Sequence, residues 1–513
     1  MKRMCIICTA LVFLVLVSAA FASDEEVSYR PADLPVVYVY TDGGKEEADK
    51  MNASWNHSYR CTGTMDILVP EGYDGEFEGR FPQESVNGLK MKYIRGRGNG
   101  TWGMSKKPYK IKLEEKADLF GMGKNKTWIL LANFFDNSLI RNWLTAWLGE
   151  AIGMEYTPQG VFVELVMNGE YLGNYYLCEQ VQISKVRLPL DELKEENSDF
   201  PEIQGGYLLD FNPDEENEAD AFMTSHGLYL ANNEPSFDTE DDGWQNDAQK
   251  QYIRDYIQKT EDAIYTGNAQ IYTEFLDLQS LADYWWIQEF TVNGDGFRTD
   301  SAHMYKKRFE PDGSEGKLYF GPLWDFDESW GNAQQETAQA IGFNNCTFIW
   351  ADELRTKPEF QTVLRERWQV IDEKLEEIIR ENGVLDQTAA IIRKSWERDY
   401  ERWKDAEDLP DAETRRSFDA EIGHIREWIR LRREWVREHL DETNILKFTV
   451  TLHSEGLEDR EYQVESYSVI DPWMFELPES EGREITGWQL EDGKATVDWI
   501  VVDRDMTVTV QYK

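Results

Sequence analysis

The chain has 513 residues, with 97 Asp+Glu against 54 Lys+Arg and a formal net charge of −43. That balance argues against nucleic acid as a partner, because phosphate backbones want clustered Lys and Arg; it suits solubility outside a cell. It also makes a lone acidic-x-acidic triplet uninformative, since chance alone yields about 18 of them at this composition.

Residues 1–22 read as a secretory signal peptide. Lys2 and Arg3 precede an apolar run that ends in Ala20-Phe21-Ala22, a small-x-small cleavage pattern. No other long apolar run follows, so no membrane span is expected in the mature chain. Cys61, Cys178 and Cys346 remain after cleavage, at spacings that match no zinc pattern, and buried structural roles are expected for all three.

Residues 23–113 read as mostly β. "LPVVYVYTD" and "RCTGTMDILVP" are short β-rich runs broken by turn residues. "LKMKYIRGRGNGTWGMSKKPYKIKL" reads as strand, Gly-rich turn, strand, with Tyr109, Ile111 and Leu113 alternating with Lys110 and Lys112. A helix is expected from Asn137 or Ser138, with Leu139, Trp143, Leu144, Trp147 and Leu148 on one face and Gly153 near its end. In "GVFVELVMNGEYLGNYYLCEQV" two apolar runs flank Asn168-Gly169, a hairpin signal. Residues 190–250 read as acidic surface loops around one strand, "GGYLLDF". Helices follow at "DAQKQYIRDYIQKTEDAIY", at "LQSLADYWWIQEFTV" and between Ala351 and His439. After Asp441 short alternating strands form a separate β module.

Three segments carry chemistry-bearing residues. In "IRGRGNGTW" the glycines at 96, 98 and 100 allow backbone N–H groups close to a phosphate, and the next strand offers lysines. "NGDGFRTDSAHMYK" sets Asp295 and Asp300 five apart, the spacing of a kinase catalytic loop. "FGPLWDFDESWGN" follows a strand and holds Asp325 and Asp327. Each is weak alone, and an ordinary turn explains each. Their order, with a lysine strand, a hairpin and a helix between them, is much harder to obtain by chance.

Together these segments, with "WILLANFFDNSLIRNWL", resemble the CotH kinase family, the spore coat protein H type of secreted, atypical protein kinase. The likeness covers roughly residues 35–440 and rests on an arginine-glycine turn, a Lys-Lys-x-Tyr strand, a D-x-S-x-x-R-N helix start, an N-x-D loop and a W-D-x-D segment. It implies an α+β, kinase-like two-lobed fold, with a β-rich N-lobe at about 35–185 and a helical C-lobe at about 186–443 inside a domain of 23–443. It implies transfer of the ATP γ-phosphoryl group to Ser or Thr of an unidentified protein, with Mg²⁺ or Mn²⁺. By that likeness Asp295 is the catalytic Asp and Asp325 the metal-binding Asp, with Asp327 and Asp300 as further metal ligands. Arg95, Gly96, Arg97, Gly98 and Asn99 form the nucleotide loop. Lys107 is the chosen phosphate-facing lysine, with Lys106 and Lys110 as rivals; Arg141 is a candidate charge partner grouped with the nucleotide-binding set. Asp300 departs from the Asn usual there, and the loop is one residue longer, which leaves Ser301 as the alternative at that place.

Residues 445–513 resemble a bacterial surface β-repeat of the internalin B-repeat type, which implies a surface or matrix partner and a secreted or cell-surface location. Two other readings compete. A metal-dependent glycosyltransferase would use Asp325 and Asp327 but leaves the Gly-rich turn and the Asp295 loop unexplained. A non-catalytic surface binding protein or adhesin on the same fold suits the β-repeat, and the presence of Lys107, Asp295 and Asp325 opposes it.

Overall fold

The computed structural model describes residues 33–512 apart from 74, 77–78, 214–220, 233–245, 268, 298, 300, 333–339, 344–347, 410–414, 455–457, 471–474, 476–484, 491–494 and 497–499. The leader segment, Asp300 and Cys346 lie outside the described residues. The fold class is α+β.

Seven strands close a barrel in the order β1-β2-β3-β4-β5-β7-β6. They are β1 (Val36–Thr41), β2 (Cys61–Leu68), β3 (Val86–Gly96), β4 (Tyr109–Asp118), β5 (Lys124–Leu131), β6 (Gly160–Met167) and β7 (Glu170–Glu179). Closure comes from parallel pairing of β1 with β6, Val36 opposite Glu164. Every residue of β6 is buried and so is nearly all of β1, as continuous apolar runs of this kind require in a parallel pair covered on both faces. A closed sheet also leaves no edge exposed to another chain. A helix absent from the sequence reading, α1 (Gly44–Ala53), covers the barrel through Ala48 and Met51. The β6–β7 turn places Asn168 and Gly169 at φ 49° and 84°, the conformation that Asn-Gly favours in a two-residue hairpin.

The period of two in β5 joins the barrel to the rest. Trp128 and Leu130 belong to the barrel core, whereas Ile129 and Leu131 belong to the core shared with the helices. That second core also takes Trp143, Leu144 and Leu148 of α2 (Arg141–Ala151). The helix begins three residues later than its periodicity suggests. Asp136 holds Ser138 and Arg141 in a turn, accepting from both backbone N–H groups, and Leu139 sits at φ 65°.

A second sheet, in the order β12-β11-β8-β10-β9, comprises β8 (Tyr207–Phe211), β9 (Phe222–Met223), β10 (Tyr229–Asn232), β11 (His303–Lys306) and β12 (Leu318–Phe320). Strands β9 and β10 lie in the region read as loops. The helices are α3 (Asp247–Tyr265), α4 (Ala269–Phe275), α5 (Leu278–Thr291), α6 (Ile349–Arg355), α7 (Pro358–Ile379), α8 (Val384–Trp403) and α9 (Phe418–His439); α5 meets β12 of this sheet, whereas α8 packs on β7 of the barrel. Helix α5 is buried all round from Leu281 to Thr291, so it forms the spine of this half. The Trp286 and Phe290 rings meet that of Trp368 of α7 at tilted angles, with centres 4.9 and 5.8 Å away.

The last strands, β13 (Lys447–His453), β14 (Arg460–Glu465), β15 (Val469–Ile470), β16 (Ile485–Leu490), β17 (Ala495–Thr496), β18 (Ile500–Val501) and β19 (Met506–Tyr512), make one five-stranded and one two-stranded sheet. Their own core holds Val450, Leu452, Trp488 and Val508. Tyr467 links them to the helices, donating to Glu442 at 2.8 Å and meeting the Trp435 ring at 5.1 Å. Among the described residues no helix is long and apolar enough to cross a membrane. Cys61 and Cys178 are buried free thiols, pushed up to about 11 and about 12 by burial.

Candidate functional site

A cleft of about 920 Å³ opens between the barrel and the second sheet. Its barrel side carries Arg60, Arg95, Arg97 and Lys110, with Gly98, Asn99, Gly100 and Thr101. Its opposite side carries Asp210, Asp295, Asp325, Asp327 and Glu328. Ile129, Leu131 and Val181 supply apolar wall. A chain with so large a negative charge has gathered four cations on one face of one cleft.

The Gly-rich turn joins β3 to β4 through a 3₁₀ turn at Gly100–Gly103. Gly98 sits at φ 80°, where a side chain would be strained. Gly96 has a different task. A Cβ there would lie 2.2 Å from the Trp102 ring, so this glycine lets Trp102 pack rather than lining the cleft. The Trp102 indole donates to Ser54 O at 2.7 Å and holds the turn down.

The lysine in the cleft is Lys110, not Lys107. Lys107 donates to Trp102 O at 2.6 Å and lies 4.7 Å from the centre of the Trp102 ring. Lys106 is buried in an ion pair with Asp399 at 2.7 Å. The strand alternation explains the choice: Tyr109, Ile111 and Leu113 fill the barrel, so Lys110 points out of it. Burial, with Arg95, Lys112, Arg97 and Arg60 nearby, pushes the Lys110 ammonium down to about 7.

Asp295 follows α5, whose C-terminus is closed by Val292 in the left-handed conformation, φ 50°. The next residues fasten to the Asp325 loop. Asn293 Nδ2 donates to Asp325 O at 3.3 Å, Gly294 N to Glu328 O at 3.1 Å, and Trp330 N to Thr291 O at 2.8 Å. The two segments singled out by their carboxylates are thus one unit.

Asp325 itself is left-handed, φ 63°, which costs on the order of 1–3 kcal/mol for a residue with a side chain. The D-x-S-x-x-R-N motif holds it there. Asn142 Oδ1 accepts from Phe326 N at 2.7 Å, between the two aspartates, and Trp330 Nε1 donates to Thr145 at 2.8 Å. Arg141 does not line the cleft. It is fully buried, paired with Asp136 and with Glu421 at 2.7 Å, and its Nε donates to Ser329 O at 2.9 Å. It braces the loop from behind.

The Asp325 carboxyl interacts with Asp327 and Ser301. Burial raises Asp325 above the usual carboxylate range, against the pull of Arg97, whose guanidinium lies 5.3 Å from the centre of the Trp324 ring. Burial raises Asp327 well above it, reinforced by Asp325, Asp136, Glu328 and Asp295. Sequence reasoning missed Asp210 and His303, which face each other across β8 and β11 with Nε2–Oδ1 at 3.3 Å. Burial pushes His303 down to about 4, so it is neutral at pH 7. The available signal was a carboxylate within the apolar strand "YLLDF".

A sequence model of the family described as CotH kinase protein matches residues 94–436, more than half of the chain. No curated protein matches it.

Proposed function

The chain belongs to the CotH kinase protein family, and from that premise we propose that it is an atypical protein kinase that transfers the ATP γ-phosphoryl group to Ser or Thr of an exported or surface protein. The observation that carries this reading is the single cleft with Arg60, Arg95, Arg97 and Lys110 facing Asp295, Asp325 and Asp327. Phosphoryl transfer asks for that pairing, because it needs charge neutralisation and positioning more than covalent chemistry. The barrel is the N-lobe, the β8–α9 part is the C-lobe, and residues 445–513 are a surface β-repeat that spaces or attaches the enzyme. The leader at 1–22 directs export.

The donor set suits Mg²⁺ or Mn²⁺. Among the described residues no three His, Cys, Asp or Glu side chains form a cage. Two neighbouring carboxyls, both raised by burial and Asp327 further by Asp325, would suit a hard cation. Asp325 and Asp327 hold it, and when bound it offsets phosphate charge. Lys110, Arg95, Arg97 and the amides of Gly98–Thr101 cradle the phosphates; Ile129, Leu131 and Val181 face the base. Asp295 orients the acceptor hydroxyl and takes its proton as the oxygen–phosphorus bond forms and the β–γ bridge breaks. Asn142, Asn293 and Arg141 keep the carboxylates in place.

The mature chain with Mg²⁺ or Mn²⁺, γ-labelled ATP and generic acceptor proteins is expected to transfer label, and Asp295→Ala to lose it. Absence of ATP binding in either metal sinks the proposal. Lys110 adds a pH signature. A bound phosphate favours the charged ammonium, so the Lys110 contribution to ATP affinity is full below pH 7 and falls as pH rises above it, by up to about tenfold per pH unit. Lys110→Arg keeps its charge and is expected to flatten that profile; titrating a fluorescent ATP analogue at several pH values checks it.

A further inference from the structure

The Gly-rich turn is gripped from outside by the C-terminal helices. Its outgoing limb is anchored by Trp102, but its return limb, Ser105–Pro108, meets residues roughly three hundred positions away. Asp408, in the turn after α8, accepts from Ser105 N at 2.6 Å and from Ser105 Oγ at 2.8 Å. Asp399, near the end of α8, pairs with buried Lys106 at 2.7 Å and accepts from Asn174 N at 2.8 Å. The fit of Asp399 depends on Gly173 at φ 104°, where a Cβ would stand 2.2 Å from its Oδ1. Trp403, one turn further along α8, donates to Leu172 O at 2.9 Å. On the barrel side, Tyr175 donates to Lys107 O at 2.9 Å.

Consecutive residues 105, 106 and 107 are therefore each fixed, two of them by carboxylates from α8 and its following turn. These three residues lie between the cleft-facing amides of 98–101 and Lys110, so their position sets the phase at which β4 starts and the direction in which Lys110 points. We propose that Asp399 and Asp408 are positioning residues for the nucleotide: a clamp through which the C-terminal helices set the height of the phosphate-facing loop. The inference rests on the kinase reading for its ligand, though not for its geometry.

Ser105 and Asp408 are both exposed, so their contact can be removed without opening a core. In Asp408→Ala the amides of residues 97–105 are expected to exchange hydrogen faster, with the melting temperature unchanged. ATP affinity is expected to fall about three- to tenfold, in keeping with the loss of charge-assisted hydrogen bonds, and to appear as a raised KM for ATP with the acceptor KM and kcat unchanged. Ser105→Ala, which keeps its N–H, is expected to show a smaller loss, and combining it with Asp408→Ala to add nothing. Asp408→Asn retains an acceptor and is expected to recover part of the affinity. Asp399→Asn is expected to lower both affinity and melting temperature, because it leaves Lys106 buried beside a neutral partner. Unchanged exchange at 97–105 in Asp408→Ala overturns the clamp whether or not ATP binds. Faster exchange in Asp408→Ala, with a wild-type chain that binds no ATP, keeps the clamp and removes the kinase reading instead.

Discussion

Asp325→Asn is expected to raise the melting temperature of the metal-free protein while lowering phosphoryl transfer by about 10²–10³-fold, the usual scale for losing one electrostatic element of such a site. Both effects come from one fact. Burial lifts the Asp325 and Asp327 carboxyls above the usual range, and for Asp327 the neighbouring Asp325, Asp136, Glu328 and Asp295 push the same way. A carboxyl with a raised folded-state pKa holds its proton better in the folded chain than in the unfolded one. Its contribution to stability is therefore best at acid pH and is lost as pH rises above the ordinary aspartate value of 3.8. Where both carboxyls are ionised, the folded protein carries a repulsion that the proposed metal site uses and stability does not. Asparagine removes that charge at nearly constant shape. Asp327→Asn is expected to stabilise more than Asp325→Asn, because its carboxyl is surrounded by more negative charge. Mg²⁺ is expected to stabilise the wild type at pH 7.5 and much less at pH 5, and to do little for either variant. Thermal melts at both pH values, with and without Mg²⁺, test this. A lower melting temperature for both metal-free variants at pH 7.5 would show that the carboxylates are net structural partners instead.

Local chemistry made part of this structure legible from the sequence. The Asn168-Gly169 turn follows from short-range backbone preference, and α3 and α9 from long amphipathic periodicity. The loops of Asp295 and Asp325 were singled out by residue type and order. What could not be read is what depends on partners distant in sequence. The alternation of Tyr109, Lys110 and Ile111 was visible, but only barrel closure decides which side is interior, and with it whether Lys107 or Lys110 meets the cleft. His303 and Asp210 are 93 positions apart and meet through pairing of β8 with β11. The start of α2 moved because Asp136 and Ser138 spend their side chains on a turn that periodicity does not register. Arg141 was the most misleading case. A motif arginine near a nucleotide loop suggests a phosphate contact, yet its partner Glu421 lies 280 positions away and nothing local announces it.

Arg141→Ala is accordingly expected to destabilise the fold by about 3–5 kcal/mol, the scale for breaking a buried ion network on one side. The substitution leaves buried Asp136 without Arg141, leaves Glu421 with only the half-exposed Arg416 at 3.4 Å, and leaves Ser329 O without its donor. Burial alone would raise Glu421, but Arg141, helped by Arg416 and His424, outweighs it, and the carboxyl lies below its usual range. That contribution is present above the ordinary glutamate value of 4.5 and is lost as pH falls through the lower folded-state value, so the wild type is expected to weaken on acidification at this site. In Arg141→Ala only Arg416, at 3.4 Å, and His424 remain to oppose burial at Glu421, and the local dependence weakens. Arg141→Lys separates bracing from nucleotide contact. An ammonium cannot reproduce the planar fork that serves Asp136, Glu421 and Ser329 together, so part of the stability is expected to be lost despite the retained charge. Activity should fall with it, because Ser329 and Phe326 set the position of Asp325. Urea unfolding midpoints, measured beside ATP affinity, decide the matter. If Arg141→Lys unfolds at the wild-type midpoint and loses ATP affinity, the arginine touches the nucleotide and the bracing role is wrong. If the midpoint falls and the folded fraction still binds ATP, this arginine acts through the loop that carries Asp325.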